Sequence, residues 1–380
     1  MPTDHGVTWP AEPHTLAKIA ILKNYLKAWF PICGQSARVQ RLLYIDGFAG
    51  PGRYSNNVDG SPIAALNAAA TALKTSGPKW IAENIHCVFI EVDQARADHL
   101  QSYLELRGDT PGLHIDVMPT TFIDGLARLK AQMPGSFQQR SPLFAFVDPF
   151  GATSVPFTAI ADILGSPHSE VLVNFDADGI VRILRSRNTN SQSQLTTIFG
   201  DESWRFLPEN GLSFRDQCLG VVELYKSRLR ALPAVRYSYA FEMLTSRKSV
   251  GSVGYFLIFA TQHWLGMSRM KEAMKGMARI PGSYQFSNAN AGMLPLLRND
   301  LPADHTPALL KRFVDRRNVS YDELRDFALN ETPFVNPKEM LEILENENSL
   351  TVISSNPTRR KGTFNEKNIS GINFANPEGD

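Results

Sequence analysis

The sequence is poor in the features that advertise a metal, a membrane or a strongly charged partner. It has three cysteines, Cys33, Cys87 and Cys218, far apart and with no CxxC pair. An odd, scattered set argues against a disulfide framework, and each lies in or near an apolar stretch, where a free thiol serves as a small buried hydrophobe. The eight histidines contain no HxxxH or HExxH spacing, so no metal motif is visible. Charge of one sign is also missing. Thirty-nine basic residues balance 38 acidic ones for a net +1, so no global field points to nucleic acid or a lipid surface, although local basic patches fit within that total. The longest apolar run, GYFLIFA near residue 257, is far too short to cross a bilayer. The polar opening MPTDHGVTWP contains no apolar signal segment. A soluble protein of the reducing cytoplasm is therefore expected, with no membrane partner. No GxxxxGK[ST] occurs, which excludes a P-loop, and no internal repeat or low-complexity block is evident.

What is present is an ordinary globular composition, 43% hydrophobic and 20% charged, with ample apolar material for a core. At 380 residues it suits two or three domains, or one large α/β domain with an appendage. Ile19, Leu22, Leu26 and Trp29 mark one face of a helix over about 14–31. Five short apolar runs follow, RLLYID, HCVFIEVD, LHIDVM, PLFAFVD and EVLVNFD, the third weaker than the rest. They alternate with helical segments, and Ser61-Pro62 reads as an N-cap and a first-turn proline for one of these. Near-continuous Val, Ile, Leu and Phe in the runs implies parallel strands buried on both faces. After a helical stretch at about 178–231, VRYSYAF (235–241) and GYFLIFAT (254–261) are joined without a helix, as in an antiparallel pair. Five parallel units ending in a hairpin is the order of a Rossmann-like class I methyltransferase sheet, expected here over residues 1–280. A Gly/Pro/Asn-rich linker at 281–306 leads to a tail, 307–375. The tail reads as three helices and a small hairpin, a winged-helix-like pattern, with a capping box at Ser320 and Glu323. The fold class expected is thus α/β with a small C-terminal α+β domain.

Ligands of an open parallel sheet bind outside the carboxyl ends of its strands. Three of those ends carry suitable groups. Asp46 closes the first strand and is followed by Gly47, Gly50 and Gly52, which let backbone approach a ligand closely. Glu91 closes the second, where a carboxylate can accept hydrogen bonds from ribose hydroxyls. Asp148-Pro149-Phe150-Gly151 closes the fourth. Each has a plainer reading: a glycine turn, a helix cap, an Asp-Pro turn. Their joint occurrence on successive strands is what argues for a site. The glycine spacing is GxxGxG rather than the dinucleotide GxGxxG. The form Asp-x-Phe-x-Gly-x-Gly sets a carboxylate and backbone amides around an amino acid moiety, which fits S-adenosylmethionine better than a pyrophosphate.

DGFAGPG, FIEVD and FVDPFG together resemble the amino-methyltransferases of DNA and RNA. The arm PGRYSNNVDGSP after the first motif is similar to the adenine-N6 methyltransferases of large-subunit ribosomal RNA. More closely, nearly the whole chain resembles the three-Cys-motif partner protein (TcmP) family. YIDGFAGPG, FVDPFG, VNF followed by Arg182, GYFLIFATQHWLGMSRMKEAM and the segment RRKGTF carry that likeness. It implies a class I fold that binds S-adenosylmethionine, and a neighbour-encoded, radical-SAM-like partner bearing a three-cysteine motif. It also implies a cofactor role for Asp46, Gly47, Phe48, Ala49, Gly50, Gly52 and Glu91, with Thr121 near the adenine. Asp148, Pro149 and Phe150 are implied to face the methyl acceptor. The sequence departs from the amino-methyltransferase motif, Asp/Asn-Pro-Pro-aromatic, by placing Phe150 and Gly151 at its last two positions, which puts the nature of the acceptor in doubt.

Asn174, Asp176 and Asp178 at the end of the fifth strand read as helix caps or as a polar wall for the acceptor. Arg182, Arg247, Lys248 and the basic turn Arg359-Arg360-Lys361 are candidates for phosphate contact in DNA or RNA, each with a solvated-surface alternative. The third tail helix carries Glu339, Glu342, Glu345 and Glu347, which a phosphate backbone would repel. Protein contact, or nucleic-acid contact through the basic turn alone, is therefore expected of the tail. A non-catalytic adaptor that retains the fold is the alternative to a methyltransferase.

Overall fold

A computed structural model of the chain describes residues 6–151, 155–186, 189–207, 211–243, 255–275 and 301–375. Arg247, Lys248 and the expected linker up to residue 300 lie outside them. The chain divides into two compact units, the second built mainly from residue 296 onward.

The first unit holds a sheet ordered β3-β2-β1-β4-β5-β7-β6. The strands are β1 (Arg41–Asp46), β2 (Asn84–Ile90), β3 (Leu113–Met118), β4 (Leu143–Val147), β5 (Ser169–Phe175), β6 (Tyr237–Met243) and β7 (Tyr255–Thr261). The first five pair in parallel, and β7 runs antiparallel between β5 and β6. This is the Rossmann-like order of a class I methyltransferase sheet. The central strands are buried on both faces, whereas β3 alternates between exposed and half-buried residues. LHIDVM is weaker than the other runs because it is an edge strand with one neighbour. The order reverses at β1, with β2 on one side and β4 on the other, and this switch point opens the crevice that open sheets use for ligands.

The covering helices are α1 (Pro13–Gly34), α2 (Ser61–Ser76), α3 (Gln94–Glu105), α4 (Phe122–Gln132), α5 (Phe157–Leu164), α6 (Ala177–Leu184), α7 (Thr189–Phe199), α8 (Phe214–Arg230) and α9 (Trp264–Lys275). Among the described residues the helical stretch at 178–231 is made of α6, α7 and α8. Strand alternation assigns each side chain a face. Leu43, Ile45, Ala145, Val147, Val171 and Val173 join a core under α4 to α8. The other parity, including Phe144, Phe146, Glu170, Leu172 and Asn174, looks toward α1. Tyr25 and Trp29 of α1 pack on Phe144 at ring distances of 5.1 and 5.9 Å. Lys18, Leu22, Tyr25 and Trp29 are all buried, and their i, i+4, i+7, i+11 spacing puts them on one side of α1.

The second unit contains α10 (Pro302–Phe313), α11 (Tyr321–Glu331), α12 (Lys338–Asn346), β8 (Leu350–Ser354) and β9 (Ile369–Phe374). The α10 helix begins ahead of the expected boundary at residue 307, because Leu301 and Asp304 already start it at Pro302. The capping box at Ser320 and Glu323 opens α11. Antiparallel β8 and β9 are supplemented by a bridge from Val319 to Ile372. Leu309, Phe313, Leu324, Leu341, Leu344 and Ile372 form a core of this unit's own.

Candidate functional site

Asp46, at the end of β1, is fully buried. Beyond it the chain is clamped between both neighbouring strands. Gly47 N–H donates to the Phe146 carbonyl (2.9 Å) and Ala49 N–H to the Ile90 carbonyl (2.9 Å). Gly50 and Gly52 then adopt φ of 64° and 75°. A side chain at Gly52 would also strike Leu100, 2.5 Å from the added carbon, whereas nothing lies within 4 Å of one at Gly50. Gly52 thus fixes the loop's path, and Gly50 leaves its surface open. Burial pushes the Asp46 carboxyl up to about 7, against hydrogen bonds from Ser61 and the Phe48 amide, with Asp148 and Glu91 adding repulsion. Ser61 is therefore not the N-cap of α2, a position held by Gly60 without a side-chain bond. Its hydroxyl serves Asp46 instead.

Glu91, also buried, accepts from Gly50 N–H (2.7 Å) and Asp93 N–H (2.9 Å). Both carboxylate oxygens keep further lone pairs. Thr121 is exposed and caps α4, accepting from Asp124 N–H at 3.2 Å. Asp148 at the end of β4 is held from two sides. Lys18 Nζ lies 2.6 Å from each of its oxygens, and Asn174 Nδ2 donates to Oδ1 at 2.6 Å. The Lys18 ammonium also faces the ring of Tyr255, 5.5 Å away. Asp176 caps α6 by accepting from Gly179 N–H, whereas Asn174 still belongs to β5 and turns to Asp148.

Most of these groups line or back one cavity of about 290 Å³, whereas Thr121 and Gly52 are not among its lining residues. Phe48, Ala49, Gly50 and Ser61 line its β1 side, and Asp148 to Gly151, Asn174 and Tyr255 line its β4–β5 side. Asp46 and Glu91 stand behind the first wall. Trp9 and Tyr54 complete the rim. Trp9 meets Tyr54 edge-on at 5.7 Å and Phe150 at 6.2 Å, with the Arg96 guanidinium 4.7 Å over its ring. The segment carrying Trp9 is tied to the arm after the glycine loop. Ser55 N–H donates to the Trp9 carbonyl, and Asn56 exchanges hydrogen bonds with the Ala11 backbone. Phe150 itself is 69% exposed.

Of the candidate phosphate contacts in the first unit, Arg247 and Lys248 lie outside the described residues and Arg182 is not among the residues lining the cavity. Arg182 is exposed on α6. In the second unit Arg359 is engaged by Glu345 in a bidentate pair (2.6 and 2.8 Å) and lies over Phe364, while Arg360 and Lys361 are exposed. Sequence reasoning missed Lys18, Trp9, Tyr54 and Tyr255. Lys18 had a local signal: it lies four and seven residues before Leu22 and Tyr25, and a charge on a buried helical stripe must find a partner. Among the described residues no group of three or more His, Cys, Asp or Glu could hold a metal, and no helix is long and apolar enough to cross a membrane.

No protein-family profile matches the sequence, and no curated protein matches it. Among solved structures, the chain is similar to Trm1 from Pyrococcus horikoshii in complex with S-adenosyl-L-methionine. Identity is 12%, coverage is 72% of this chain and 61% of that one, and the TM-score is 0.35. It is also similar to an O-methyltransferase from Bacillus cereus in complex with SAH, at 14% identity, 63% and 80% coverage and a TM-score of 0.33. A protein from Legionella pneumophila matches at 12% identity, 66% and 86% coverage and a TM-score of 0.37. Likenesses this weak transfer neither substrate nor reaction, and the site stands on its own geometry.

Proposed function

We propose that the protein is an S-adenosylmethionine-dependent N-methyltransferase acting on nucleic acid, of the TcmP type, together with a three-Cys-motif partner. The observation that carries this reading is the joining of the β1 and β4 strand ends in one cavity, with Asp46 and Glu91 behind the β1 wall. The residues fit the cofactor. A carboxyl buried without a cation and pushed up to about 7 is suited to a ligand ammonium. Open space over Gly50 gives a cradle for close backbone approach. Asp46 and the loop from Gly47 to Gly52 would hold the amino acid part, and Glu91 the ribose. Bound there, S-adenosylmethionine supplies an electrophilic methyl group. The chain's own contribution is positioning: the β4–β5 wall orients the acceptor nitrogen, and the Trp9, Tyr54 and Phe150 rings offer planes for stacking a base.

In the second unit, three helices, a β-hairpin and the Val319–Ile372 bridge support a winged-helix reading. Its α12 exposes Glu339 and Glu342, Glu347 is exposed just beyond the helix, and Arg359 is committed to Glu345. That favours protein contact, or nucleic-acid contact confined to Arg360 and Lys361. The adaptor reading is favoured by one observation, the engagement of Asp148 by Lys18. Calorimetry with S-adenosylmethionine tests the cofactor site: wild type should bind and Glu91→Ala should bind at least about tenfold more weakly, as loss of ribose hydrogen bonds requires. A folded wild type that binds none, with its partner present, refutes the reading. Radiolabelled methyl transfer to RNA, DNA or the partner separates enzyme from adaptor.

A further inference from the structure

Asp148 is the obvious group to meet an acceptor amine, but its bonds are already made. Lys18 Nζ sits 2.6 Å from both oxygens and Asn174 Nδ2 2.6 Å from Oδ1. A carboxylate beside an ammonium accepts and does not donate, so the amide of Asn174 must present its NH2 to Asp148. Its orientation is thereby fixed by chemistry, and Oδ1 must point the other way. That oxygen is buried and has no hydrogen-bond partner, while Asn174 lines the cavity between Asp148 and Tyr255. A buried orphan acceptor is costly, and in the wall of a cavity a bound donor can relieve that cost.

We infer that Asn174, oriented by the Lys18–Asp148 pair, is the residue that accepts a hydrogen bond from the methyl acceptor, and that it selects a neutral amino group on a base. This deepens the proposed function and rests on it. Lys18 cancels the charge that would otherwise draw a cationic amine such as a lysine side chain. The planar rings of Trp9, Tyr54 and Phe150 along the same cavity suit a flat heterocycle. In this scheme Lys18 and Asp148 are positioning residues, which keep one lone pair of an amide aimed at the substrate. The carbonyl of a deaminated base would oppose Oδ1 acceptor to acceptor.

Equilibrium dialysis of the full chain with labelled nucleosides, with and without S-adenosylhomocysteine, tests this. Wild type should bind adenosine and cytidine at least about tenfold more tightly than inosine and uridine, because a site built around one hydrogen bond rejects its mismatch. Asn174→Leu should abolish the preference and leave S-adenosylhomocysteine binding intact. Asp148→Asn is the sharper variant and nearly isosteric. Lys18 will claim the new amide's carbonyl, its NH2 will face Asn174, and Asn174 must turn over to accept. It then presents NH2 to the cavity, and the preference should reverse toward inosine and uridine. A purely structural role predicts no reversal. Equal binding of all four nucleosides by wild type, or a preference that survives both substitutions, overturns the inference. Absence of S-adenosylhomocysteine binding instead overturns the cofactor reading, and the nucleoside preference is read independently of it.

Discussion

The same two elements, α1 and β5, carry a polar contact at each end, and the two contacts differ in kind. At the carboxyl end of the sheet, Lys18 meets Asp148, and Asn174 keeps an orphan oxygen. Seven residues further along α1, about 10 Å at the helical rise, Tyr25 donates to Glu170 at the amino end. Glu170 also receives Thr261 Oγ1 at 2.7 Å and a bond from Trp29. Every hydrogen-bond donor to Glu170 there is neutral, although Glu170, Tyr25, Trp29 and Thr261 also line a second cavity of about 350 Å³. The upper contact holds a charge pair and spare acceptor capacity. Buried acids at the two ends of one face thus do different work. The lower one joins helix to sheet, and the upper ones leave valences for a ligand.

Asp46 offers the strongest way to break that contrast. Its folded proton is lost near pH 7, whereas the unfolded chain loses it near the ordinary value of 3.8. Between those values the folded state holds more protons, so stability falls as pH rises through the window and is flat above it. Across about three units this amounts to roughly 4 kcal/mol. Asp46→Asn should remove the slope, gaining most above pH 7 in denaturant titrations, while S-adenosylmethionine binding is lost. Wild-type binding of that cation should in turn weaken as pH falls below about 7, as the carboxyl becomes neutral. A variant that loses stability at pH 8 would place Asp46 with Glu170 as a structural acid.

Glu170→Ala should act in the opposite sense. It strands the Tyr25 and Thr261 hydroxyls and the Trp29 N–H, so a loss of about 3 kcal/mol is expected. Cofactor affinity, measured by calorimetry on the folded variant, should not change. A cofactor defect without a stability defect would erase the distinction between the two ends.

The upper end was partly legible in the sequence. Asp46, Glu91 and Asp148 announce themselves because a strand end, an acid and nearby glycines are all local signals, and parallel pairing then brings successive strand ends together. The order of the sheet was legible for the same reason, since a connection without a helix forces β6 and β7 antiparallel. Lys18 carried only its place on the buried helical stripe as a signal, because its partner lies 130 residues away and a lysine on a helix usually reads as solvated. Asn174 sat among residues that favour helix caps, and only tertiary structure shows that Asp176 takes that role while Asn174 turns to Asp148. Ser61 was misread for the same cause: a cap and a tertiary hydrogen bond look alike in one dimension.

Lys18→Met probes the pair directly. It leaves a partly buried Asp148 without its cation, at an expected cost of about 2 kcal/mol, and adding Asp148→Asn should recover most of it. The coupling between the two sites in a double-mutant cycle is the measure of the pair. Additive effects would mean that the ion pair is only a surface contact, and the comparison between the ends would lose its upper half.

The smallest effect on stability is expected at Phe150, and it is the most diagnostic for that reason. The ring is 69% exposed, edge-on to Trp9 and 6.0 Å from the Arg96 guanidinium, so Phe150→Ala should change stability by no more than about 0.5 kcal/mol. A mostly exposed aromatic at the rim of a cavity offers a face for stacking. If it stacks on the acceptor, its loss should weaken substrate binding by about 1–3 kcal/mol, the range for base–aromatic stacking, with cofactor affinity unchanged. A substitution silent for both folding and methyl transfer would remove Phe150 from the site and leave Trp9 and Tyr54 as the stacking surfaces.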